Sequence, residues 1–551
     1  MIVKMKHFDL VCVAQEREAA LAGLRDAGVA HLDFSSAQGD EVVSAKGDAA
    51  DAEKALRAVL KARGGKVPAA TVPATVPEIL SLVAQSEAVK SASDALRREI
   101  SKYEPYGDFD PGLAKKLISE GIDIRSVADF PERLPEKSLG EMKADLSRSE
   151  SEAAELKERI AACDDGAIRE SFPALAEKIE FAAAKEIMSS SGEVAYISGW
   201  VPETKAGTLL EKAKENAWGV LLRDPAEGET PPTLIEPPKM FRPMKSLFEG
   251  LGIAPAYTEA DVSVPFMCYF SLFFAMLVGD GAYGAIFLAA TLLMRRKMAK
   301  SWFVLMTVFS SATVLWGVLS NTWFGAGLPW CADWPTVRWL ADPSYRHMML
   351  LCFTIGVSHL MIARIWNGVC RAPDSTCVAE FGWAGVLLFM YLVTNSIVGI
   401  FPSIPAWAFW MFGVSLAAVF GFSVKPSELK SRGAELGMLP LNIMSALGDI
   451  ISYVRLFAVG LASVKVAENF NSMATGLVAD AGAVWSKALL SVAMVAILFV
   501  GHALNLAMAA LSVLVHAVRL NTLEFSNHKG VSWSGFRYNP FSARRAGKAS
   551  A

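Results

Sequence analysis

The sequence predicts an α-helical membrane protein with about eight transmembrane helices, the last two long and tilted, behind an N-terminal cytoplasmic domain. We expect that domain to combine small α/β lobes with an antiparallel coiled-coil hairpin. Three features of the 551 residues lead to this fold class. Residues 1–240 hold no apolar run long enough to span a bilayer, residues 241–551 hold one such run after another, and two heptad-like stripes lie in the first part. The expected boundary between a cytoplasmic and a membrane domain therefore falls near residue 240.

Both ends of the cytoplasmic part follow the order strand, helix, strand. The pattern predicts this order over residues 2–13, 16–27 and 29–34, and again over residues 194–201, 203–216 and 218–223. Packed together, the two units would form one small α/β lobe. The proline-rich stretch 224–238 cannot be a regular helix and is predicted to be the linker to the membrane domain.

Two helical stripes lie between these units. Leu82, Val89, Leu96 and Tyr103 repeat every seven residues, with Ala92 between them, which fits either a coiled coil or an ordinary helix that faces a core. The downstream stripe alternates spacings of three and four, which favours a coiled-coil seam: Leu139, Met142, Leu146, Ser149, Ala153, Leu156, Ile160 and Cys163. Together they predict an antiparallel hairpin with a lobe at each end, the far lobe over residues 106–135.

Apolar runs in the second part predict eight membrane crossings, at about 262–278, 282–295, 302–323, 346–366, 380–401, 405–424, 438–468 and 485–520. The stretch GDGAYG at 279–284 interrupts the first pair, which would be a single helix in a seven-crossing alternative. At 1.5 Å per residue the last two runs measure roughly 46 and 54 Å. They exceed a hydrocarbon core of about 30 Å and must tilt or protrude.

The distribution of basic residues favours eight crossings, because cytoplasmic loops of membrane proteins are rich in lysine and arginine. With the N-terminus inside, the opposite side carries only Arg338 and Arg346. The cytoplasmic side carries Arg295, Arg296, Lys297, Lys300, Arg364, Arg371, Lys425, Lys430, Arg432, Lys529, Arg537, Arg544, Arg545 and Lys548. No secretory leader opens the sequence, so we expect both termini and the C-terminal tail in the cytoplasm.

Arg455 lies near the middle of the seventh apolar run. A guanidinium group stays charged in a protein, and at mid-bilayer depth it costs about 2.5–3.5 kcal/mol, so such a residue indicates function. No acidic residue lies three or four positions away, so its counter-charge must come from another helix or another protein. Arg519 lies near the end of the last run, where either function or snorkelling to the membrane surface explains it.

Polar residues around these arginines are candidates for an ion path. His502 and Asn505 lie one turn apart, where they form either part of a polar line or ordinary interhelical hydrogen bonds. Lys465 and Glu468 are spaced to pair at i,i+3.

Composition argues against several other functions. A net charge of −3 without a basic aromatic stripe does not favour nucleic acid. Seven cysteines form no CxxC pair, so neither a metal site nor a disulfide framework is indicated, and no cofactor is expected. No GxxxxGK[ST] motif occurs, so no P-loop for nucleotide hydrolysis is indicated in this chain.

Six motifs give the chain a family resemblance over about residues 195–540. They are GWVP at 199–202, PPTL at 231–234, FFAMLVGDGAYG at 273–284, LGDIISYVRL at 447–456, GHALN at 501–505, and HAVRL at 516–520 followed by Glu524 and Phe525. The chain resembles the membrane stator subunit of rotary V-type and A-type ATPases, which is subunit a in eukaryotes and subunit I in archaea and bacteria. The coiled-coil region is similar in pattern alone.

The resemblance implies a non-catalytic subunit that translocates ions. Two tilted helices of such a stator face a rotating ring of proteolipid subunits (subunit c or K), and two offset half-channels bring H⁺ or Na⁺ to the ring carboxylates. Arg455 would separate the half-channels and Arg519 would assist it. The residues considered as possible half-channel lining are Ser452, Tyr453, Ser463, Glu468, His502, Asn505, His516 and Glu524. Ser463 and Ala509 stand where eukaryotic relatives have a histidine and a glutamate, so the lining of the half-channels stays open.

The resemblance also implies partners and a location. The partners would be peripheral stalk subunits E and G, central-stalk subunit d or C, the lipid membrane and, indirectly, catalytic head subunits A and B. It favours a multi-pass protein of a prokaryotic plasma membrane over a eukaryotic endomembrane. Two alternatives rest on the residues alone: a secondary transporter or channel that works by itself with a cytoplasmic coiled-coil domain, and a membrane-anchored scaffold, which leaves Arg455 unexplained.

Overall fold

The structure is a computed structural model, and it describes residues 1–64, 71–122, 133–340, 342–424, 437–479 and 484–543. About 70% of it is helical, with one small antiparallel sheet. In the N-terminal part the helices are α1 Arg17–Ala27, α2 Asp40–Arg63, α3 Val76–Tyr103, α4 Pro111–Ser119, α5 Leu139–Ala162, α6 Gly166–Ile187, α7 Ala206–Glu215 and α8 Pro243–Leu251. The strands are β1 Met5–Val13, β2 Ser189–Ser191, β3 Val194–Pro202 and β4 Gly219–Arg223.

The sheet has the order β2-β3-β1-β4, and every neighbouring pair is antiparallel. Both predicted strand–helix–strand units therefore contribute to one sheet. Alternate residues of β1 and β3 point to one face, where they join residues of α1 and α7 in a buried cluster. Phe8, Leu10, Leu21, Ile197 and Leu209 are each at most 2% exposed in this cluster.

The strand predicted over residues 29–34 is wrong. His31 alone forms a β-bridge, to Trp200 on the outer edge of β3. The other side of this segment is bound by the C-terminal tail, because the Phe541 amide donates to the Ala30 carbonyl at 2.7 Å. Its backbone hydrogen bonds are thus shared with the tail instead of forming a ladder.

Helices α3 and α5 lie antiparallel, since the end of α3 packs on the start of α5 through Ile100, Tyr103, Leu139 and Met142. All eight residues of the downstream stripe are buried or half-buried. In the upstream stripe the interpretation of Ala92 is wrong, because that residue is exposed and Ser93 is buried instead. At the other end α2 and α6 complete the packing around Ile79 and Ile160. Residues 123–132 of the predicted far lobe lie outside the described residues.

Arg63 ties the end of α2 to the turn between α5 and α6. It donates to the Asp165 carboxylate and to the Cys163 carbonyl, both at 2.6 Å. Beyond β4 the chain is irregular until α8, as the prolines predict. A bidentate hydrogen-bonded pair with Arg223 lowers the pKa of Glu229 to about 2.

All eight predicted apolar segments contain helix. The helices are α9 Ser263–Val278, α10 Gly281–Leu293, α11 Lys300–Ser320, α12 Pro335–Leu340, α13 Arg346–Arg371, α14 Thr376–Ile397, α15 Ala406–Phe422, α16 Leu439–Ser452, α17 Val454–Ala479, α18 Val484–Ser512 and α19 Ser526–Lys529. Within the described residues, five stretches are long and apolar enough to cross a membrane: Lys300–Ser320, Arg346–Arg371, Thr376–Ile397, Leu439–Val478 and Leu489–Lys529. A sixth is added if α9 and α10 form one broken span; eight crossings remain a prediction.

The chain bends by 119° between α9 and α10, so the predicted single-helix alternative does not describe this pair. Gly279 adopts a left-handed conformation at the bend, with a φ of 70°. Asp280 caps α10, as its position indicates: one carboxylate oxygen accepts from Ala282 N at 2.8 Å, and the other accepts from Gly325 N at 2.8 Å.

The last two apolar runs are not the continuous α-helices that we expected. Tyr453 separates α16 from α17. The stretch Leu489–Lys529, which we call the final helix, contains two π-helical segments, Val513–Ala517 and Leu520–Phe525. Hydrogen bonds in a π-helix join residues five positions apart, so side chains with this spacing stack on one face.

After α19 the tail returns to the sheet. The Tyr538 hydroxyl donates to the Val29 carbonyl at 2.7 Å, and the Asn539 amide donates to His31 Nδ1 at 3.0 Å. Burial lowers the pKa of His31. Phe541, 2% exposed, enters the core of the lobe. Lys425, Lys430, Arg432, Arg544, Arg545 and Lys548, which we assigned to cytoplasmic segments, lie outside the described residues.

Candidate functional site

The counter-charge of Arg455 comes from the final helix. Glu524 Oε1 lies 3.7 Å from Arg455 Nη1, 3.5 Å from Arg519 Nε and 3.1 Å from the Ser452 hydroxyl, which donates to it. The Glu524 side chain is 6% exposed, compared with 21% for Arg455 and 53% for Arg519. We call these four residues, Ser452, Arg455, Arg519 and Glu524, the charged cluster.

Local backbone geometry assembles this cluster. Arg519 and Glu524 are five positions apart, which in an α-helix would place them on different faces. The π-helical segment Leu520–Phe525 brings them together. The break at Tyr453 ends α16 beside the start of α17, so Ser452 and Arg455 both reach the same carboxylate.

The charged cluster holds unused hydrogen-bonding capacity. Among the described residues, Arg455 Nη1 and Glu524 Oε2 are buried without a hydrogen-bond partner. One carboxylate faces two guanidinium groups, and His516 lies within electrostatic range of both arginines. A further carboxylate from outside the chain would meet an excess of positive charge and an unpaired donor.

A second group of polar side chains extends along α17 and α18, away from the α/β lobe. Asn505 Nδ2 donates to the Ser463 carbonyl at 2.9 Å and to the Tyr283 hydroxyl at 3.1 Å. That hydroxyl lies 2.8 Å from His502 Nδ1, and His502 Nε2 lies 3.2 Å from Asn471 Oδ1. We call these residues the polar series: Ser463, Asn505, Tyr283, His502 and Asn471.

A cavity of about 580 Å³ lies on the lobe side of the charged cluster. His528 stands at its wall, where it pairs with Asp449 at 3.0 Å and accepts a hydrogen bond from Arg364 at 3.1 Å. Arg364 also lies 3.2 Å from Glu380, a carboxylate only 6% exposed. Asn442 and Ser445 add polar groups to the lining of this lobe-side cavity.

Two of the predicted lining residues lie elsewhere. Tyr453 is fully buried, and its hydroxyl lies 2.9 Å from His359 Nδ1, among aromatic rings. Glu468 pairs with Lys465 at 2.7 Å, which confirms the expected i,i+3 contact, and its side chain is 40% exposed.

Sequence reasoning missed Tyr283, Asn471, Glu380 and His528 as members of polar groups. Glu380 is the residue whose signal could have been used, because it is a carboxylate at the start of an apolar run. Tyr283 carries no such signal, because its partner His502 is 219 positions away in the sequence and local spacing cannot reveal the contact.

The final helix presents most of its apolar surface outwards. Only 11% of its most apolar 18-residue stretch is buried, compared with 28–50% of the corresponding stretch in each of the other four apolar helices that could cross a membrane. The exposed residues include Leu489, Val492, Val495, Phe499, Leu504, Met508, Leu511 and Leu514. This face is available to lipid or to another membrane protein.

Comparison with known proteins gives several relatives and no matching family model. The chain is 28% identical to "V-type ATP synthase subunit I 1" of Treponema pallidum, over 99% of this chain and the whole of that protein. It is 34% identical to "V-type ATP synthase subunit I" of Borreliella burgdorferi, over 66% of this chain and 62% of that protein. It is 25% identical to "A-type ATP synthase subunit I" of Methanocaldococcus jannaschii, over 78% and 67% respectively.

Proposed function

The chain belongs to the subunit I family of V-type and A-type ATP synthases, a membrane subunit of the complex and not its catalytic one, and from this we propose that it is the stator of a rotary motor. It forms two ion half-channels against a ring of proteolipid subunits and couples ring rotation to translocation of H⁺ or Na⁺. The observation that carries the proposal is the charged cluster beside an exposed apolar face.

Arg455 acts on the ring carboxylate through charge. At a separation of about 4 Å and an effective dielectric of 20, two unit charges attract by about 4 kcal/mol. A ring carboxylate that reaches Arg455 is therefore held in its ionised form and releases its H⁺ or Na⁺. Glu524 keeps Arg455 in place at 3.7 Å, a distance that leaves the guanidinium free to bind a second carboxylate.

The two polar groups supply the half-channels. The polar series leads from Asn505 towards the side remote from the lobe, and the lobe-side cavity leads to the cytoplasm past Glu380, Asp449 and His528. Arg455 and Arg519 lie between them, where their charge opposes the direct passage of a cation. His516 and Ser452 line the junction.

The N-terminal part transmits force instead of ions. Residues 1–240 form the cytoplasmic domain, and residues 241–551 form the membrane domain with both termini in the cytoplasm. The hairpin of α3 and α5 is a strut held by peripheral stalk subunits E and G, and the membrane domain meets the proteolipid ring and central-stalk subunit d or C. A prokaryotic plasma membrane suits the bacterial and archaeal relatives.

Cross-linking tests the predicted contact with the ring. A Leu504→Cys variant in a cysteine-free background should cross-link to a proteolipid in native membranes, because Leu504 is exposed beside Asn505. Val414→Cys, exposed on α15, is the matched control and should not cross-link to the proteolipid. Cross-linking of both positions to proteolipid, or of neither, would contradict this arrangement.

A further inference from the structure

His359 on α13 contacts both segments that carry the charged cluster. It is fully buried. Its ring stacks on Phe525, with centroids 4.5 Å apart and planes at 10°, and on Tyr269 at 4.1 Å on the other side. Its Nδ1 lies within hydrogen-bonding distance, 2.9 Å, of the Tyr453 hydroxyl.

These contacts lie next to the charges. Phe525 directly follows Glu524, and Tyr453 is the break residue two positions before Arg455. Tyr453 packs directly against α13 at Gly356, where a Cβ atom would come within 2.5 Å of the tyrosine ring, so a glycine is needed for this close contact. One side chain therefore joins the two backbone irregularities that bring Arg455 and Glu524 together.

Histidine is the residue type that supplies both kinds of contact. Its Nε2 is buried without a hydrogen-bond partner among the described residues, and such an unpaired nitrogen destabilises a protein. Phenylalanine would stack on Phe525 and Tyr269 without that cost. What histidine adds is the hydrogen bond to Tyr453.

We propose that His359 is a positioning residue, which sets the separation of Arg455 and Glu524 through Phe525 and Tyr453. This inference rests on the function proposed above, because the consequence of misplacing Arg455 is a loss of coupling. When the hydrogen bond is absent, the break at Tyr453 is free to shift, and Arg455 no longer faces the ring carboxylate at a fixed distance.

Three variants test the proposal in the reconstituted complex: His359→Phe, Tyr453→Phe and the double variant. Each single variant should lower the number of ions moved per ATP by about fivefold. Loss of one hydrogen bond, worth roughly 1 kcal/mol, reduces the population of the correctly positioned arrangement by about that factor. The double variant should be no worse than either single one, because both remove the same bond. Tyr391→Phe is the matched control, since it deletes another tyrosine hydroxyl bonded to α13, at Thr354, and should couple like wild type.

A histidine with a merely structural role predicts the opposite result. His359→Phe would then couple like wild type, because it removes an unpaired buried nitrogen and keeps the stacking. Wild-type coupling in His359→Phe and Tyr453→Phe would overturn the proposal. Tyr453→Phe removes one oxygen atom, so it should assemble even if the histidine variant does not.

A distance measurement separates failure of this proposal from failure of the proposed function. Spin labels at Ile451→Cys and Leu523→Cys, both exposed, report on the two segments in a cysteine-free complex. His359→Phe should broaden their distance distribution, and Tyr391→Phe should not. An unchanged distribution overturns the positioning role alone, whereas wild-type transport in an Arg455→Ala complex would overturn the stator function.

Discussion

Two arginine–glutamate pairs in this protein use the same chemistry in different surroundings. Arg97 and Glu150 join α3 to α5 at 2.6 Å, with side chains 59% and 47% exposed. Arg455 and Glu524 join the last two membrane helices at 3.7 Å, with side chains 21% and 6% exposed. The closer pair contributes less to the stability of the protein, because water screens its charges. The buried pair is looser, yet each partner depends on the other for compensation of its charge.

Removal of Glu524 should have the largest effect. Glu524→Gln leaves two arginines without their carboxylate, and breaking a buried pair costs about 3–5 kcal/mol. The amount of assembled, detergent-stable complex should fall sharply, as measured by size-exclusion chromatography. Arg519→Gln added to Glu524→Gln should restore part of it by removing the excess charge. Normal assembly of the single variant would show that the pair is not buried in the complex.

Phe541 tests whether the tail belongs to the lobe. Phe541→Ala should destabilise the lobe by about 3 kcal/mol, because a buried aromatic side chain is lost from its core. Hydrogen exchange at the His31 and Trp200 amides should become faster in the full-length protein. Phe422→Ala, at an exposed position outside the lobe and the tail, is the control. Equal exchange in the two variants would mean that the tail is not seated on the lobe.

Arg519 should be less demanding than Arg455, because its side chain is 53% exposed and water can replace part of its interaction. Arg519→Ala should give a partial loss of ion transport, and Arg519→Lys should retain more of it by keeping the charge beside Glu524. Vesicle transport assays at matched complex levels measure this. Complete loss with lysine would indicate that the planar guanidinium itself is required.

The exposed pair should give the smallest effect. Arg97→Ala should change the free energy of unfolding only slightly, because water screens the exposed pair, and added salt should reduce the difference further. Thermal unfolding of the full chain at low and high salt provides the measurement. A larger loss would place the hairpin pair in the same class as the buried one and remove the contrast.

Sequence alone located Arg455, since a permanent charge in an apolar run is a strong local signal. It placed Glu524 among the candidates without assigning it as the partner of Arg455. The i,i+5 contact of Arg519 with Glu524 depends on a π-helix, which no residue pattern predicted. The polar series was half found: Asn505 and His502 share one helix, whereas Tyr283 arrives from a distant segment.

The soluble part shows the same limit. Heptad spacing predicted the seam of α5, where apolar residues repeat. It misassigned α3, because a heptad pattern is identified from apolar residues and the polar Ser93 occupies the buried position. The single bridge at His31 resembled a strand because alternation cannot reveal that the tail supplies the second set of hydrogen bonds.

The most direct test of the stator mechanism is ion transport by the reconstituted complex with Arg455→Ala. Vesicles should contain wild-type amounts of the complex, and acidification and Na⁺ uptake should both be followed during ATP hydrolysis. We expect transport to be abolished with alanine and nearly abolished with lysine, whose point charge lacks the planar fork of arginine. ATP hydrolysis can persist if the head becomes uncoupled. Wild-type transport with Arg455→Ala would contradict the role assigned to the charged cluster.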